Sequence, residues 1–234
     1  MRMKMVKIAA QWIFILCIPV LLLSASLGIA ANCPWLYKYG FEKYEVGRTT
    51  GLPDIELEKV AKSIINYFNS SEKDLYVVVE KNGQPFVLFN DREVAHMRDV
   101  KGLFRLDYYL LVGTLIYAIA FILLNLLLWK DRRRLAQGLF GGGVLTLGLM
   151  AALGLGALLD FESLFLQFHL ISFDNYLWQL NPATDYLIRL FPQGFYYDAT
   201  IFCAIGTGAG AVILGGIGWW QMRKSNRPLS SPNT

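Results

Sequence analysis

Four long apolar runs divide this chain, at 8–31, 108–129, 139–159 and 200–220, and none of them contains a charged residue. Each reaches the roughly 20 consecutive apolar residues that a helix needs to cross the hydrocarbon core. They predict four transmembrane helices. The stretch between the first two runs, 32–107, is patterned like a small soluble α+β domain. Pro53 to Asn69 reads as a helix, with Leu57, Val60, Ala61, Ile64, Ile65 and Phe68 on one face. Two β-prone runs follow, 75–80 and 85–89, joined through Asn82-Gly83, a strong hairpin signal. Asn90 with Glu93 three positions on matches a helix N-terminus closed by a capping box. The helix it starts carries Glu93, His96, Met97, Asp99 and Lys101 toward the second run.

The stretch 160–199 is too apolar for a solvated loop. Phe161, Leu164, Phe165, Phe168, Leu170, Ile171, Phe173, Tyr176, Leu177 and Trp178 precede Leu187, Ile188, Leu190 and Phe191. Interfacial helices lying apolar side down and flooring a lipid-facing pocket are expected, with a packed surface between spans three and four as the alternative. The predicted architecture is a mainly α membrane protein. It has four transmembrane helices, a small extracytoplasmic α+β domain between spans 1 and 2, and interfacial helices between spans 3 and 4. Glycines 141–143, 148, 154 and 156 in span three, and 206, 208 and 210 in span four, predict close helix packing. They are not a phosphate-cradling loop, since no strand precedes them and no Gly-Lys-Ser/Thr follows. The first run could also be a cleaved signal. Its 24 residues exceed a typical signal core of about 7–15, and Asn32 stands before Cys33 where a lipoprotein signal has a small residue. It is therefore read as an uncleaved span.

Charge orients the spans. The connection 130–138 holds Lys130, Arg132, Arg133 and Arg134 against Asp131, and the tail holds Arg223, Lys224 and Arg227 without an acid. Short basic loops remain cytoplasmic. The stretch 160–199 carries only Arg189 against Asp160, Glu162, Asp174, Asp185 and Asp198. The expected topology has 1–31 as N-terminus and first span, 32–107 outside, 108–129 spanning, 130–138 inside, 139–159 spanning, 160–199 outside, 200–220 spanning and 221–234 inside. Both termini are then cytoplasmic. Trp129, Trp219 and Trp220 fall at inner ends and Trp35 and Trp178 at the outer side, as aromatic belts do. The net charge of +4 shows no lysine-arginine stripe, so no nucleic-acid partner is expected.

The chain has two histidines, His96 and His169, and both map to the outer side near the membrane. Histidine is the commonest general acid or base. Glu93 and Asp99 lie about one helical turn either side of His96, where a carboxylate can fix a tautomer or simply be a solvated charge. A metal is a weaker reading, without HExxH or Cys-x-x-Cys spacing, and no cofactor is expected. Cys17 lies mid-span. Cys33 and Cys203 fall near outer span ends, where a disulfide or an acyl-cysteine is conceivable. The absence of a Gly-x-Ser-x-Gly elbow argues against a serine hydrolase of that type.

Two stretches carry a resemblance. One is Glu93 to Lys101, containing His96-Met97-Arg98-Asp99. The other runs from Phe165 through Phe168-His169, Phe173, Asn175, Trp178, Asn181-Pro182 and Asp185 to Pro192. With the four-span layout they resemble the lipoprotein intramolecular transacylases over nearly the whole chain. The resemblance implies that an acyl chain moves from the glyceryl sn-2 oxygen of a diacylglyceryl bacterial lipoprotein to the α-amine of its N-terminal cysteine. It also implies that the essential histidine pair matches His96 and His169, with such lipoproteins and membrane lipid as partners. Donor and acceptor then share one molecule, so positioning replaces an enzyme nucleophile. His169 is read as the base and His96 as support for the ester or leaving oxygen, with the reverse also open. Asn175, Trp178 and Asp185 are candidates for orienting the pair or the oxyanion. Competing readings are a membrane sensor or accessory protein using 32–107, an acyl-cysteine acyltransferase using Cys33 or Cys203, and a lipid hydrolase.

Overall fold

The structure, a computed structural model, describes residues 2–225. Arg227 and the rest of the tail from 226 lie outside the described residues. Helices α1 (Arg2–Ala31), α2 (Pro34–Lys43), α3 (Val46–Thr50) and α4 (Asp54–Asn69) lead to the strands β1 (Val78–Lys81) and β2 (Gln84–Val87). Helix α5 (Asp91–Leu123) then runs into a π-helical turn, Leu124–Leu128. Helices α6 (Arg132–Leu159), α7 (Phe161–Ser172), α8 (Tyr186–Leu190) and α9 (Gln193–Ser225) complete the chain. The protein is mostly helical. The helices α1, α5 with its π-turn, α6 and α9 are each long and apolar enough to cross a membrane.

These helices exceed the runs that announce them. Helix α5 is continuous from Asp91, so the helix that starts at the Asn90 cap and the second run are one element. Helix α6 starts at Arg132, seven residues before the third run, because Asp131 caps it: the Arg134 N–H donates to Asp131 Oδ1 at 3.0 Å. The basic residues of 130–138 therefore sit largely on a first helical turn rather than on a loop. Helix α9 likewise starts at Gln193, before the fourth run.

The chain divides into two compact units. Among the described residues the first contains 2–26, 109–155 and 204–225. Its interior is built on Phe14, Ile18, Phe121, Leu135 and Leu139, with the Phe14 and Phe121 rings stacked at 4.4 Å. Many large apolar side chains of this unit stay exposed, among them Leu127 at 66% and Leu153 at 61%, as lipid-facing positions do. Helices α6 and α9 approach through glycine. A Cβ on Gly143 would stand 2.7 Å from the Ala211 carbonyl oxygen, and one on Gly218 would stand 2.5 Å from that of Ala136. Gly142 and Gly210 instead face α1, against Ile18 and Leu22.

The second unit contains 27–108 and 156–203. The buried face of α4 holds Leu57, Val60, Ala61, Ile64, Tyr67 and Phe68. The strands pair antiparallel with Lys81 opposite Gln84, which makes Asn82-Gly83 a two-residue turn. Both turn residues have positive φ, 54° and 75°, as a type I′ hairpin requires. Helix α8 departs from the interfacial expectation. Tyr186, Leu187 and Leu190 are buried in the core of this unit with Tyr37, Phe41, Leu88 and Met97. Its apolar residues meet protein, since the helix is only five residues long and covers α+β surface that would otherwise be wet. Helix α7, by contrast, has no fully buried residue and exposes Leu166, Leu170 and Ile171.

Replacing Gly218 by Leu should cost about 1–3 kcal/mol through overpacking of α6 against α9. Gly216→Leu, where a Cβ meets nothing within 4 Å, should be tolerated. Thermal unfolding of both variants in detergent checks this pair.

Candidate active site

The N-terminus of α5 is organised by its cap. Asn90 Oδ1 accepts the Arg92 and Glu93 backbone N–H groups at 3.0 and 3.1 Å, and Glu93 Oε2 accepts the Asn90 N–H at 2.9 Å. This is the capping box read from the sequence. The same carboxylate does more. Its Oε1 accepts the Leu187 N–H at 2.6 Å, joining the start of α5 to the first turn of α8. Glu93 is completely buried, and burial pushes its carboxyl above the usual range while the backbone donors pull it back. Each of its oxygens thus accepts a backbone N–H.

One turn further along α5, His96 is 7% exposed, and its Nδ1 has no hydrogen-bond partner. The stretch 91–107 carries too many charges to lie in hydrocarbon, so His96 stands outside the span. Burial holds its imidazole down at about 4, helped by the nearby His169 and opposed by Asp99. His96 is therefore neutral at neutral pH. His169 occupies the last turn of α7. That helix is capped by Asp160, whose carboxylate accepts Ser163 N–H and Oγ–H at 2.9 and 2.6 Å. Its other end closes with the Phe173 N–H donating to the His169 carbonyl at 3.0 Å.

The fold brings the two imidazoles together. Their centroids are 6.5 Å apart, with planes 27° from parallel. His169 Nδ1 lies 2.8 Å from the Phe165 carbonyl oxygen, which only accepts, so Nδ1 carries the proton. In the neutral ring the lone pair then resides on Nε2. Aromatic rings surround His169: Phe165 at 4.4 Å, Trp178 at 4.9 Å, Phe168 at 5.4 Å and Phe173 at 5.7 Å. Phe173 also lies 5.2 Å from His96.

The remaining predicted residues act at one remove. Asp99 Oδ2 accepts a bond from Asn175 Nδ2 at 2.9 Å, and Asn175 Oδ1 accepts the Leu177 N–H at 2.9 Å. This fixes the turn that lays Trp178 on His169. Asp185 accepts from Asn90 Nδ2, Thr184 Oγ1 and the Asn181 N–H at 2.9, 2.9 and 2.7 Å. These donors hold its carboxyl below its ordinary value against burial. It braces the loop before α8. Arg92 was not foreseen. Its Nη2 donates to the Tyr176 carbonyl at 2.8 Å, a backbone contact that residue type alone does not signal. Phe165, Phe168 and Phe173, expected to floor a lipid-facing pocket and included in the second stretch that carries the resemblance, were not named as candidate site residues; here their rings line His169. Cys33 and Cys203 are not joined in a disulfide and pack in a separate small cluster with Ala30 and Leu36. Among the described residues no three His, Cys, Asp or Glu side chains converge as a metal site would need.

A family model described as "Lipoprotein intramolecular transacylase Lit" matches residues 12–196. The chain belongs to this family. A solved structure of the membrane-integral lipoprotein intramolecular transacylase Lit of Bacillus cereus superposes with a TM-score of 0.81. It shares 18% identity, and the match covers 95% of this chain and 98% of that one. A second structure of that protein, carrying a substitution of one histidine, gives a TM-score of 0.78 at 17% identity, covering 95% of each chain. At these identities the likeness establishes the Lit fold. An uncharacterized protein of Aquifex aeolicus (strain VF5) is 35% identical over 125 residues, 53% of each chain. The chain thus matches about half the length of that curated relative.

Two stability predictions follow from this geometry within the Lit fold. Glu93→Gln keeps the shape but puts an amide where an acceptor stood. It should cost about 1–3 kcal/mol, the penalty of an unpaired buried donor, read from thermal unfolding. For His96, the unfolded chain takes up a proton near pH 6.5 that the folded chain refuses until about pH 4. Stability should therefore be full above pH 6.5 and fall as pH drops through that window. His96→Leu should flatten this part of the melting-temperature profile.

Proposed function

We propose that this chain moves an acyl chain from the glyceryl sn-2 oxygen of a diacylglyceryl lipoprotein to the α-amine of its N-terminal cysteine, with His96 and His169 as the acid–base pair. The observation that carries the reading is the 6.5 Å pairing of the chain's only two imidazoles, which start 73 residues apart. Membership in the Lit family supports the reaction class. The α-amine has a pKa of about 7.7–8.0, so it must shed a proton before it attacks an ester. The free Nε2 lone pair of His169 suits that base. The amine nitrogen bonds to the ester carbonyl carbon, the carbon–oxygen bond to sn-2 breaks, and the sn-2 oxygen takes up the proton. The products are an amide and a free hydroxyl on one molecule, with no water consumed. His96, neutral and with Nδ1 uncommitted, is placed to steady the ester or departing oxygen. Glu93, Asp99, Asn175, Trp178 and Asp185 position this pair rather than react.

The boundaries of outer domain and interfacial segment set in the sequence fit this role, with 32–107 and 160–199 extracytoplasmic and both termini cytoplasmic by the charge of the short loops. The exposed Leu166, Leu170 and Ile171 of α7 suit the outer membrane interface, where diacylglyceryl chains reside.

The test is expression in a bacterium lacking N-acylation, followed by fragmentation mass spectrometry of a reporter lipopeptide. Total mass stays constant, so fragmentation must locate the chains: one on the α-amine and one on glyceryl. His169→Ala and His96→Ala should each slow the transfer by about 100-fold or more while remaining folded. A free amine in the presence of wild-type protein would transfer support to the sensor reading.

A further inference from the structure

The reaction has a competitor. The same base, facing the same ester, can activate water, and hydrolysis needs no second substrate group. Water attack would break the same carbon–oxygen bond, release a free fatty acid and an sn-2 hydroxyl, and leave the amine unacylated. An intramolecular transferase must therefore keep water from the gap between base and ester.

Phe173 occupies the place where that exclusion acts. The His96, His169 and Phe173 centroids form a triangle with sides of 6.5, 5.2 and 5.7 Å, so the phenyl ring closes one flank of the space between the imidazoles. It is 8% exposed and seated edge-on against Phe168 at 6.3 Å. Phe165, Phe168 and Trp178 continue the apolar wall around His169. The local chain holds the ring there, because the Phe173 N–H closes α7 on the His169 carbonyl and the Asp99–Asn175 bond fixes the turn two residues on. Helix α7 has no fully buried residue of its own. The rings of Phe165, Phe168 and Trp178 all meet the His169 imidazole, and Phe165 also packs on Tyr196 at 5.0 Å.

We propose that Phe173, backed by Trp178, determines the choice of nucleophile: it makes the site a transferase to the amine by denying water the flank of the histidine pair. This rests on the acyl-transfer reading above. Phe173 is a positioning and water-excluding residue with no part in proton transfer.

The experiment reconstitutes the full-length protein with a diacylglyceryl lipopeptide and measures N-acylated product and released fatty acid in parallel. Wild type should give N-acylated product with fatty acid at background. Phe173→Ala should raise the share of turnover ending as free fatty acid at least tenfold, and Phe173→Leu, which restores apolar volume, should bring the ratio back toward wild type. A purely structural role would lower both products together. If Phe173→Ala does not fold, Trp178→Ala, on the partly exposed loop, carries the same expectation. A folded Phe173→Ala or Trp178→Ala that loses transfer without gaining fatty acid release overturns the inference and leaves the transacylase reading standing. A wild-type protein that yields no N-acylated product removes that reading and this inference together.

Discussion

A fully buried carboxylate, Glu93, joins the two stretches of chain that carry the site. Glu93 accepts the Asn90 N–H within its own cap and the Leu187 N–H from 94 residues away. It lies where α5 begins and where α8 enters the core, so the position of His96 along α5 and the path of the chain leaving His169 share one anchor. Burying a carboxyl is expensive without partners, and two backbone donors offset that cost. The arrangement is also specific. Shifting α5 by one residue would rotate the side chain by about 100° and strand both donors.

Around this anchor the other cross-links act in parallel. Asn90 to Asp185, Arg92 to Tyr176 and Asp99 to Asn175 all run from the cap and first turns of α5 to 175–185. Helix α7 has little burial of its own, so these ties, together with the ring contacts, set where its last turn ends. The result is one histidine on a lightly packed helix and the other, His96, deeply buried.

Local signals were legible in the sequence; long-range ones were not. Asn82-Gly83 and the Asn90/Glu93 pair specify their structures over four residues, because turn φ values and cap donors are local demands. The face of α4 was readable for the same reason, with only Tyr67 in place of Ile65 among its most buried residues. The place of helix α8 was left open between a lipid interface and a packed surface, because Leu187, Leu190 and Phe191 would serve either equally well. The early starts of α6 and α9 escaped because hydropathy marks where a helix meets lipid, not where its hydrogen bonding begins. Both histidines were singled out by scarcity and chemistry. Of the aromatic wall about His169 only Trp178 was singled out, since apolar rings near a membrane carry no label for what they face.

The tether on His169 has a kinetic meaning. With Nδ1–H held by the Phe165 carbonyl, the imidazole cannot flip to exchange its nitrogens without breaking that hydrogen bond. A proton collected at Nε2 must leave from Nε2. In the proposed reaction the incoming amine and the outgoing oxygen would take turns at one nitrogen, so the tetrahedral intermediate must pivot past a stationary ring, or pass its proton to the second imidazole. The tether would then fix which nitrogen of His169 handles the proton at both stages of that reaction.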